Sequence, residues 1–183
     1  GGRVWEKLGA TVTNMAAGEI FQALQSGTLD AAEFVGPYND LALGFHQVAK
    51  NYYMPSFVES GLATELVVDK KKYQELPEDL QAIIRDVSQA EYDQVAADFY
   101  ANDPRALKTL VEEHGVTVRN FPDDIMEAGA KASVEVVEEL RSSDDPLVKK
   151  TADSFVEALN LVRTRTEKID SPYIQARQSF LKY

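Results

Sequence analysis

Apolar residues recur at three- and four-residue intervals through much of the second half of the chain. Leu80, Ile83, Ile84, Val87, Val95 and Phe99 keep that spacing, with Glu91 as a polar exception, and Leu107, Leu110 and Val111 resume it before Gly115. The pattern predicts a helix over 78–114, opened at Pro77, where a missing N–H costs nothing. Asn102-Asp103-Pro104 interrupts it; Pro104 removes one backbone hydrogen bond, so a kink or a fresh start capped by Asp103 is expected. An unbroken helix there would span about 55 Å, against a diameter of roughly 41 Å for a compact chain of this length. It should therefore cross more than one lobe or project from one. Val116 to Asn120 reads as a short strand. Phe121-Pro122-Asp123-Asp124 opens a helix to about Arg141, and Ser142 to Asp145 is a turn. Pro146 opens a last long helix of about 36 Å, reaching at least Ile169. Asp170-Ser171-Pro172 is a candidate break before Tyr173 to Tyr183.

The first third alternates. Arg3 to Leu8 reads as a helix end stopped by Gly9, and Thr11 to Asn14 as a short β-branched strand. Ala17-Gly18-Glu19 opens a helix whose stripe is Ile20, Phe21 and Leu24, ended by Gly27. Leu29 to Val35 is a second strand candidate. Gly36-Pro37 is a breaker, and Tyr38 to Lys50 holds a short helix or two. Leu62 to Asp69, centred on Leu66, Val67 and Val68, is the clearest strand. The fold class expected is α/β, a sheet with helices packed on it. Three stretches follow: an α/β segment over 1–69, a long spanning helix with a short strand over 70–120, and C-terminal helices over 121–183. No internal repeat or low-complexity segment is present.

Charge narrows the partners. The 183 residues hold 19 Lys plus Arg against 30 Asp plus Glu, a net charge of −11. That disfavours sequence-neutral nucleic-acid binding and docking on anionic membranes, both of which need a basic face. Cys is absent, which excludes thiol catalysis, disulfides and Cys-based zinc sites while leaving the compartment open. No apolar run approaches the roughly 18 residues that span a bilayer. The start, Gly1-Gly2-Arg3, reads as processed or excised.

Candidate chemistry is sparse. His46 lies beside Phe45 on an amphipathic stretch and His114 ends a helix; both read as packed or dipole-facing residues. No nucleophile elbow, Walker loop, dinucleotide fingerprint or zinc-protease motif is present. The most unusual stretch is Asp30-Ala31-Ala32-Glu33-Phe34-Val35-Gly36-Pro37-Tyr38-Asn39-Asp40. A carboxylate at a strand end, followed by an aromatic and a Gly-Pro turn, suits a cleft mouth, because ligands of open α/β sheets lie there. The plainer reading of the same residues is a solvated loop. Phe57-Val58-Glu59-Ser60-Gly61 carries the same two readings. Lys70-Lys71-Lys72 and Glu138-Glu139 read as wet helix faces.

At these residues the chain resembles a known family. Trp5-Glu6-Lys7-Leu8-Gly9-Ala10-Thr11 and Gly18-Glu19-Ile20-Phe21-Gln22-Ala23-Leu24-Gln25-Ser26-Gly27 are similar to the DctP-like solute-binding subunits of tripartite ATP-independent periplasmic (TRAP) transporters. The run from Asp30 through Asp40-Leu41-Ala42 resembles the branch that binds 2-oxo acids and other monocarboxylates. Val48-Ala49-Lys50-Asn51-Tyr52-Tyr53-Met54-Pro55 and Leu76-Pro77-Glu78-Asp79-Leu80-Gln81 fit the same branch. The resemblance covers nearly the whole chain, and the order of the motifs is its specific feature.

The resemblance implies the C-terminal portion of a two-lobed periplasmic binding protein, with 1–69 in a ligand-binding lobe, a long spine helix, and terminal helices that pack on the lobes or on a second subunit. It implies an arginine for the ligand carboxylate that precedes Gly1, since Arg3 is misplaced for that role, and poor ligand binding by this chain alone. Position by position, it implies that Glu33 is a cation-coordinating carboxylate and Glu59 a second acidic ligand. It implies that Phe34, where the family usually has tryptophan, offers its backbone carbonyl to the cation and its ring to the substrate. Phe for Trp removes an indole N–H and some area, which bears on ligand identity. The partners implied are a small organic acid, the membrane permease subunits and, through Phe155, Leu159 and Val162, a possible homodimer. That apolar stripe equally suits packing within its own core.

Electrostatics supports a cation. Two like charges 4 Å apart cost about 4 kcal/mol at an effective dielectric of 20, and Glu33 and Glu59 in one cleft would repel an anionic acid. A sodium or calcium ion, taking carboxylate and carbonyl oxygens, resolves the conflict and could chelate a carboxylate together with its neighbouring oxo or hydroxy oxygen. An arginine fork would hold the far side. The first reading is therefore a periplasmic binding module, not an enzyme. The alternatives are a metal-assisted enzyme using Glu33 and Glu59 on a small oxo acid, and a purely structural helical domain.

Overall fold

The computed structural model describes residues 1–58 and 65–181. The chain divides into two compact units, one of residues 1–2 and 12–126 and the other of residues 3–11 and 127–183.

The first unit holds α2 (Ala17–Ser26), α3 (Pro37–Ala42), a 3₁₀ turn (Phe45–Gln47), β1 (Asn51–Tyr53), α4 (Lys70–Glu75), α5 (Glu78–Glu112) and β2 (Thr117–Arg119). Gly27, at φ 74°, closes α2 in the left-handed conformation that glycine adopts without a Cβ penalty. Asp69 caps α4 by accepting from the Lys72 amide at 2.9 Å. The principal packing is α3 against α5. Ile20, Phe45, Ala106, Leu110 and Val116 form the buried apolar centre. β1 and β2 pair in parallel, Tyr52 opposite Val118, which requires the long crossover that α4 and α5 supply. Arg119 Nε donates to Asn51 Oδ1 at 2.7 Å across that pair.

The second unit packs α1, which begins at Gly2 (Gly2–Lys7), with α6, whose first turn lies in the other unit (Asp123–Arg141), and with α7 (Pro146–Arg165). Val4, Ala132 and Ala152 are buried in it. Lys7 bridges Glu135 at 3.1 Å and Glu139 at 2.7 Å, Arg3 also pairs with Glu139, and Arg141 joins α6 to Asp153 of α7 at 2.8 Å. These exposed pairs set orientation more than stability. Asp145 caps α7 through the Leu147 amide at 2.8 Å, as a Pro146 start requires.

The helices match their sequence pattern closely, and of the expected strands Val116 to Asn120 does, as β2. Thr11 to Asn14 and Leu29 to Val35 carry no ladder; of Leu62 to Asp69, residues 62–64 lie outside the described residues and Glu65 to Asp69 is coil. A β-branched run becomes a strand only beside a partner, and these runs find none among the described residues. The strand expected over Val116 to Asn120 does form, as β2, while its partner β1 is three residues with no alternation to see. Helix α5 runs unbroken through Pro104. Proline there takes the donor from the Tyr100 carbonyl, and Tyr100 is 86% exposed, so solvent has access to this stretch of the helix. Asp103 does not cap a new helix; it accepts from the Tyr38 amide at 3.0 Å. The break expected near Pro172 is likewise absent. A π-helical turn, Thr166–Asp170, carries α7 into α8 (Ser171–Phe180), with the Ser171 amide reaching back to the Thr166 carbonyl.

Candidate ligand and cation site

The chain from Ala31 to Gly36 has no regular structure, so its placement rests on side chains from the elements around it. The Phe34 ring meets the edge of buried Phe45 at 5.6 Å between centroids. The Tyr38 amide donates to Asp103 of α5, and the Tyr38 ring stands edge-on to Phe99 at 6.1 Å. A Cβ on Gly36 would lie 3.4 Å from Asp103 Oδ1, a close approach that a bare α-carbon eases. Glu33 is exposed.

Beneath this stretch lies Asp40, 8% exposed, on α3. The Tyr52 hydroxyl of β1 donates to its Oδ2 at 2.6 Å. Its Oδ1 makes no well-aligned hydrogen bond among the described residues, although the amides of Gly36 and Val35 approach the carboxylate and favour its charged form. Burial dominates, with the Asp103 charge adding to it, and raises the Asp40 pKa above the usual carboxylate range. Burial and the same carboxylate push the Tyr52 hydroxyl far up, so it remains a donor. Because folding raises the Asp40 pKa, the stability it contributes is complete below the ordinary carboxylate value. That stability is lost as pH rises through the raised one.

The two histidines stack on each other at 4.0 Å between centroids, and Lys50 Nζ donates to the His114 carbonyl at 2.9 Å. Burial first, then His114 and Lys50, lowers the His46 pKa, which keeps it neutral at pH 7. Both belong to the packed end of α5, as their sequence context suggests.

Glu59 lies outside the described residues. The segment leading to it is anchored by Phe121, which stacks on Tyr53 at 5.0 Å and meets Phe57 edge-on at 5.1 Å. Among the described residues no group of three or more His, Cys, Asp or Glu could hold a metal. The donors that remain do fit a hard cation: Glu33 offers carboxylate oxygens, and among the described residues the Phe34 carbonyl accepts no backbone hydrogen bond. Oxygen donors of this kind suit sodium or calcium, whose shells need further oxygens beyond these two residues. A groove in the first unit, lined among others by Leu66, Val68, Tyr73, Ile84, Tyr92 and Val95, includes none of these residues.

Sequence reasoning missed Asp40, Tyr52 and Asp103. Asp40 and Tyr52 stood inside motifs already singled out, yet nothing in spacing shows that a hydroxyl twelve positions on reaches a buried carboxylate.

A sequence model of the DctP family, described as bacterial extracellular solute-binding protein, family 7, matches residues 1–144. The chain belongs to that family. The monocarboxylate 2-oxoacid-binding periplasmic protein of Nostoc sp. (strain PCC 7120) is 33% identical to this DctP-family chain over 144 residues, 79% of this chain and 39% of that protein. A TRAP transporter solute-binding protein from Bordetella bronchiseptica RB50 has a TM-score of 0.78 and 29% identity, covering 98% of this chain and 54% of that one. It is a mixed-occupancy dimer with copurified calcium and picolinate in one site and the other site apo. A TRAP periplasmic solute-binding protein from Pseudoalteromonas atlantica T6c, with bound sodium and pyruvate, has a TM-score of 0.80 and 32% identity, covering 95% and 53%. The chain thus spans from about two-fifths to about half of the length of these relatives. Its helices and small parallel sheet match part of the two-lobed fold of these periplasmic binding proteins. The relatives are solute-binding proteins, not enzymes. No helix among the described residues is long and apolar enough to cross a membrane.

Proposed function

We propose that this DctP-family chain is part of the periplasmic solute-binding subunit of a TRAP transporter, which captures a small 2-oxo or 2-hydroxy monocarboxylate and delivers it to the membrane permease by lobe closure. The observation that carries this reading is the 33% identity to a monocarboxylate 2-oxoacid-binding protein across 79% of the chain. Glu33, the Phe34 carbonyl and Glu59 are proposed cation ligands, and the Phe34 ring a cover over the substrate. Sodium and calcium accompany pyruvate and picolinate in the relatives, and the exposed Glu33 beside the Phe34 carbonyl, which accepts no backbone hydrogen bond among the described residues, supports the same role here. Within this reading, 1–69 lines the ligand lobe, 70–120 forms the spine and 121–183 packs on the lobes or on a second copy.

The test is a thermal-shift screen of the full-length protein containing this chain. Pyruvate and related 2-oxo acids should raise Tm with calcium or sodium present, and chelation with sodium removal should cancel the rise. A shift with simple fatty acids but not with 2-oxo acids would overturn the substrate class. Turnover of pyruvate would favour the metal-assisted enzyme instead.

Phe155, Leu159 and Val162 of α7 are all exposed, and so are Ile169, Tyr173 and Phe180 further along the same helical path. Such a face supports a homodimer through the C-terminal helices. Light scattering on the full-length protein at micromolar concentration should give twice the monomer mass; a monomer excludes the dimer.

A further inference from the structure

We propose that the stacked His46–His114 pair is an acid-operated clasp: with both rings neutral it holds the 3₁₀ turn against the end of α5, and protonation parts the rings and loosens the seat of Phe34. Only the last step rests on the reading of Phe34 as part of the ligand site.

The pair joins two parts of the first unit that are distant in sequence. His46 is the middle residue of the 3₁₀ turn, and His114 follows the end of α5. Their rings lie nearly face to face, with 4.0 Å between centroids and 23° between planes. The two strands start at the same corner. Lys50 Nζ donates to the His114 carbonyl at 2.9 Å, and the Thr117 amide, at the start of β2, donates to the Lys50 carbonyl at 2.8 Å. Phe45, beside His46 in the turn, is buried and meets the Phe34 ring at 5.6 Å. Whatever fixes His46 therefore also fixes the ring on which Phe34 rests.

The corner is built against a proton. His46 Nδ1 is buried and has no hydrogen-bond partner among the described residues. A neutral imidazole protonated on Nε2 leaves Nδ1 as a bare acceptor. An imidazolium makes it an N–H donor, and a buried donor without an acceptor is costly. The charges acting on His46 oppose a second positive charge: His114 across the stack, and Lys50, tied to the His114 carbonyl. The neighbouring carboxylates of α5, Glu112 and Glu113, are exposed, and Glu112 pairs with Lys108 at 3.8 Å. One imidazolium can rest on the π face of a neutral ring, but two at this distance repel.

Folding lowers the His46 pKa, through burial first and then His114 and Lys50. The stability the clasp contributes is thus complete above the ordinary histidine value and is lost as pH falls through the lowered one. Asp40 acts in the opposite sense, its contribution falling as pH rises. Variants that keep Asp40 isolate the histidines.

The test uses His46→Gln and His114→Gln in the full-length protein. Three quantities are measured between about pH 7.5 and about pH 5, the range in which histidines change charge: Tm, the His46 ring proton resonance, and pyruvate affinity with calcium present. The Tm of wild type should fall with acid by about 2–4 °C more than that of either variant. The His46 resonance, assigned by its loss in His46→Gln, should titrate at higher pH in His114→Gln than in wild type. Pyruvate affinity should weaken in acid by about 5-fold more in wild type than in His46→Gln. Histidines that merely pack would lower Tm equally at both pH values when replaced. An equal acid response of Tm in wild type and both variants, or a His46 titration unmoved by His114→Gln, overturns the clasp. If His46→Gln does not fold, His114→Gln decides by the same readouts. An affinity that responds to acid equally in wild type and variants overturns the link to Phe34. If wild type binds no pyruvate with either cation, the ligand reading fails separately, and Tm and the ring resonance still decide the clasp.

Discussion

Leu110→Ala is expected to destabilise the chain by about 3 kcal/mol, close to a 150-fold change in the folding equilibrium. Leu110 is 2% exposed and is the most deeply buried of the core side chains. It sits in the last turns of α5, where the Leu110 carbonyl accepts from the Val116 amide at 2.9 Å, so the same residue closes the turn that leads into β2. Deleting its side chain removes buried methyl groups and leaves a cavity that a helix of this length, fixed at the turn, cannot easily close. The buried apolar centre of this unit is small, with Ile20, Phe45, Ala106 and Val116 as its other members, so few neighbours can move in. Val111→Ala is the matched control. Val111 is 41% exposed on the same helix, and its truncation should cost well under 1 kcal/mol, as surface changes do. Urea unfolding of the two variants checks both. A Leu110→Ala cost equal to that of Val111→Ala would mean that α5 is not held by this core.

The helices were legible because their signals are local. A three-to-four period, Gly27 as a stop, Asp123-Asp124 in a first turn and Pro146 at a start each act within a few residues, and α2, α6 and α7 follow them. Apart from Val116 to Asn120, which forms β2, the strands were not, because a ladder depends on another part of the chain. Leu29 to Val35 finds no ladder partner among the described residues, whereas Asn51–Tyr53, too short to show a period, has a partner 66 positions away at Thr117–Arg119. The site divides in the same way. Glu33 and Phe34 stand out in a linear reading because they are an unusual pair beside Gly36-Pro37. Asp40, Tyr52 and Asp103 do not, because their meaning is a convergence of three elements. Asp103 in particular looked like a local cap, the commonest task for Asp before a proline, and instead serves the amide of Tyr38. Pro104 leaves α5 unbroken for a related reason: the lost hydrogen bond is real, but at a solvent-exposed position water can offset it.

Glu33→Ala should reduce calcium-dependent pyruvate affinity at least about 100-fold, or roughly 2.7 kcal/mol, in the full-length protein. The direction of the change is more informative than its size. Pyruvate is an anion, and the chain around it carries a net charge of −11. If the acid bound directly to the protein, an exposed carboxylate at Glu33 would repel it, and alanine would improve affinity. If a cation lies between them, Glu33 supplies a formal negative charge to that cation, and its loss removes both the ion and the partner that chelates the substrate. The two mechanisms thus predict opposite signs for one substitution. Glu33→Gln sharpens the distinction, since it keeps an oxygen donor and removes the charge: it should fall between wild type and alanine when calcium is the ion, whose double charge depends most on carboxylates. Titration calorimetry with calcium, with sodium alone, and with chelator and no sodium separates the contributions. Wild type should lose affinity without either cation, and Glu33→Ala should then lose no more, because the bridge is already gone. An affinity that rises on Glu33→Ala and ignores the cation would show that the acid meets the protein directly.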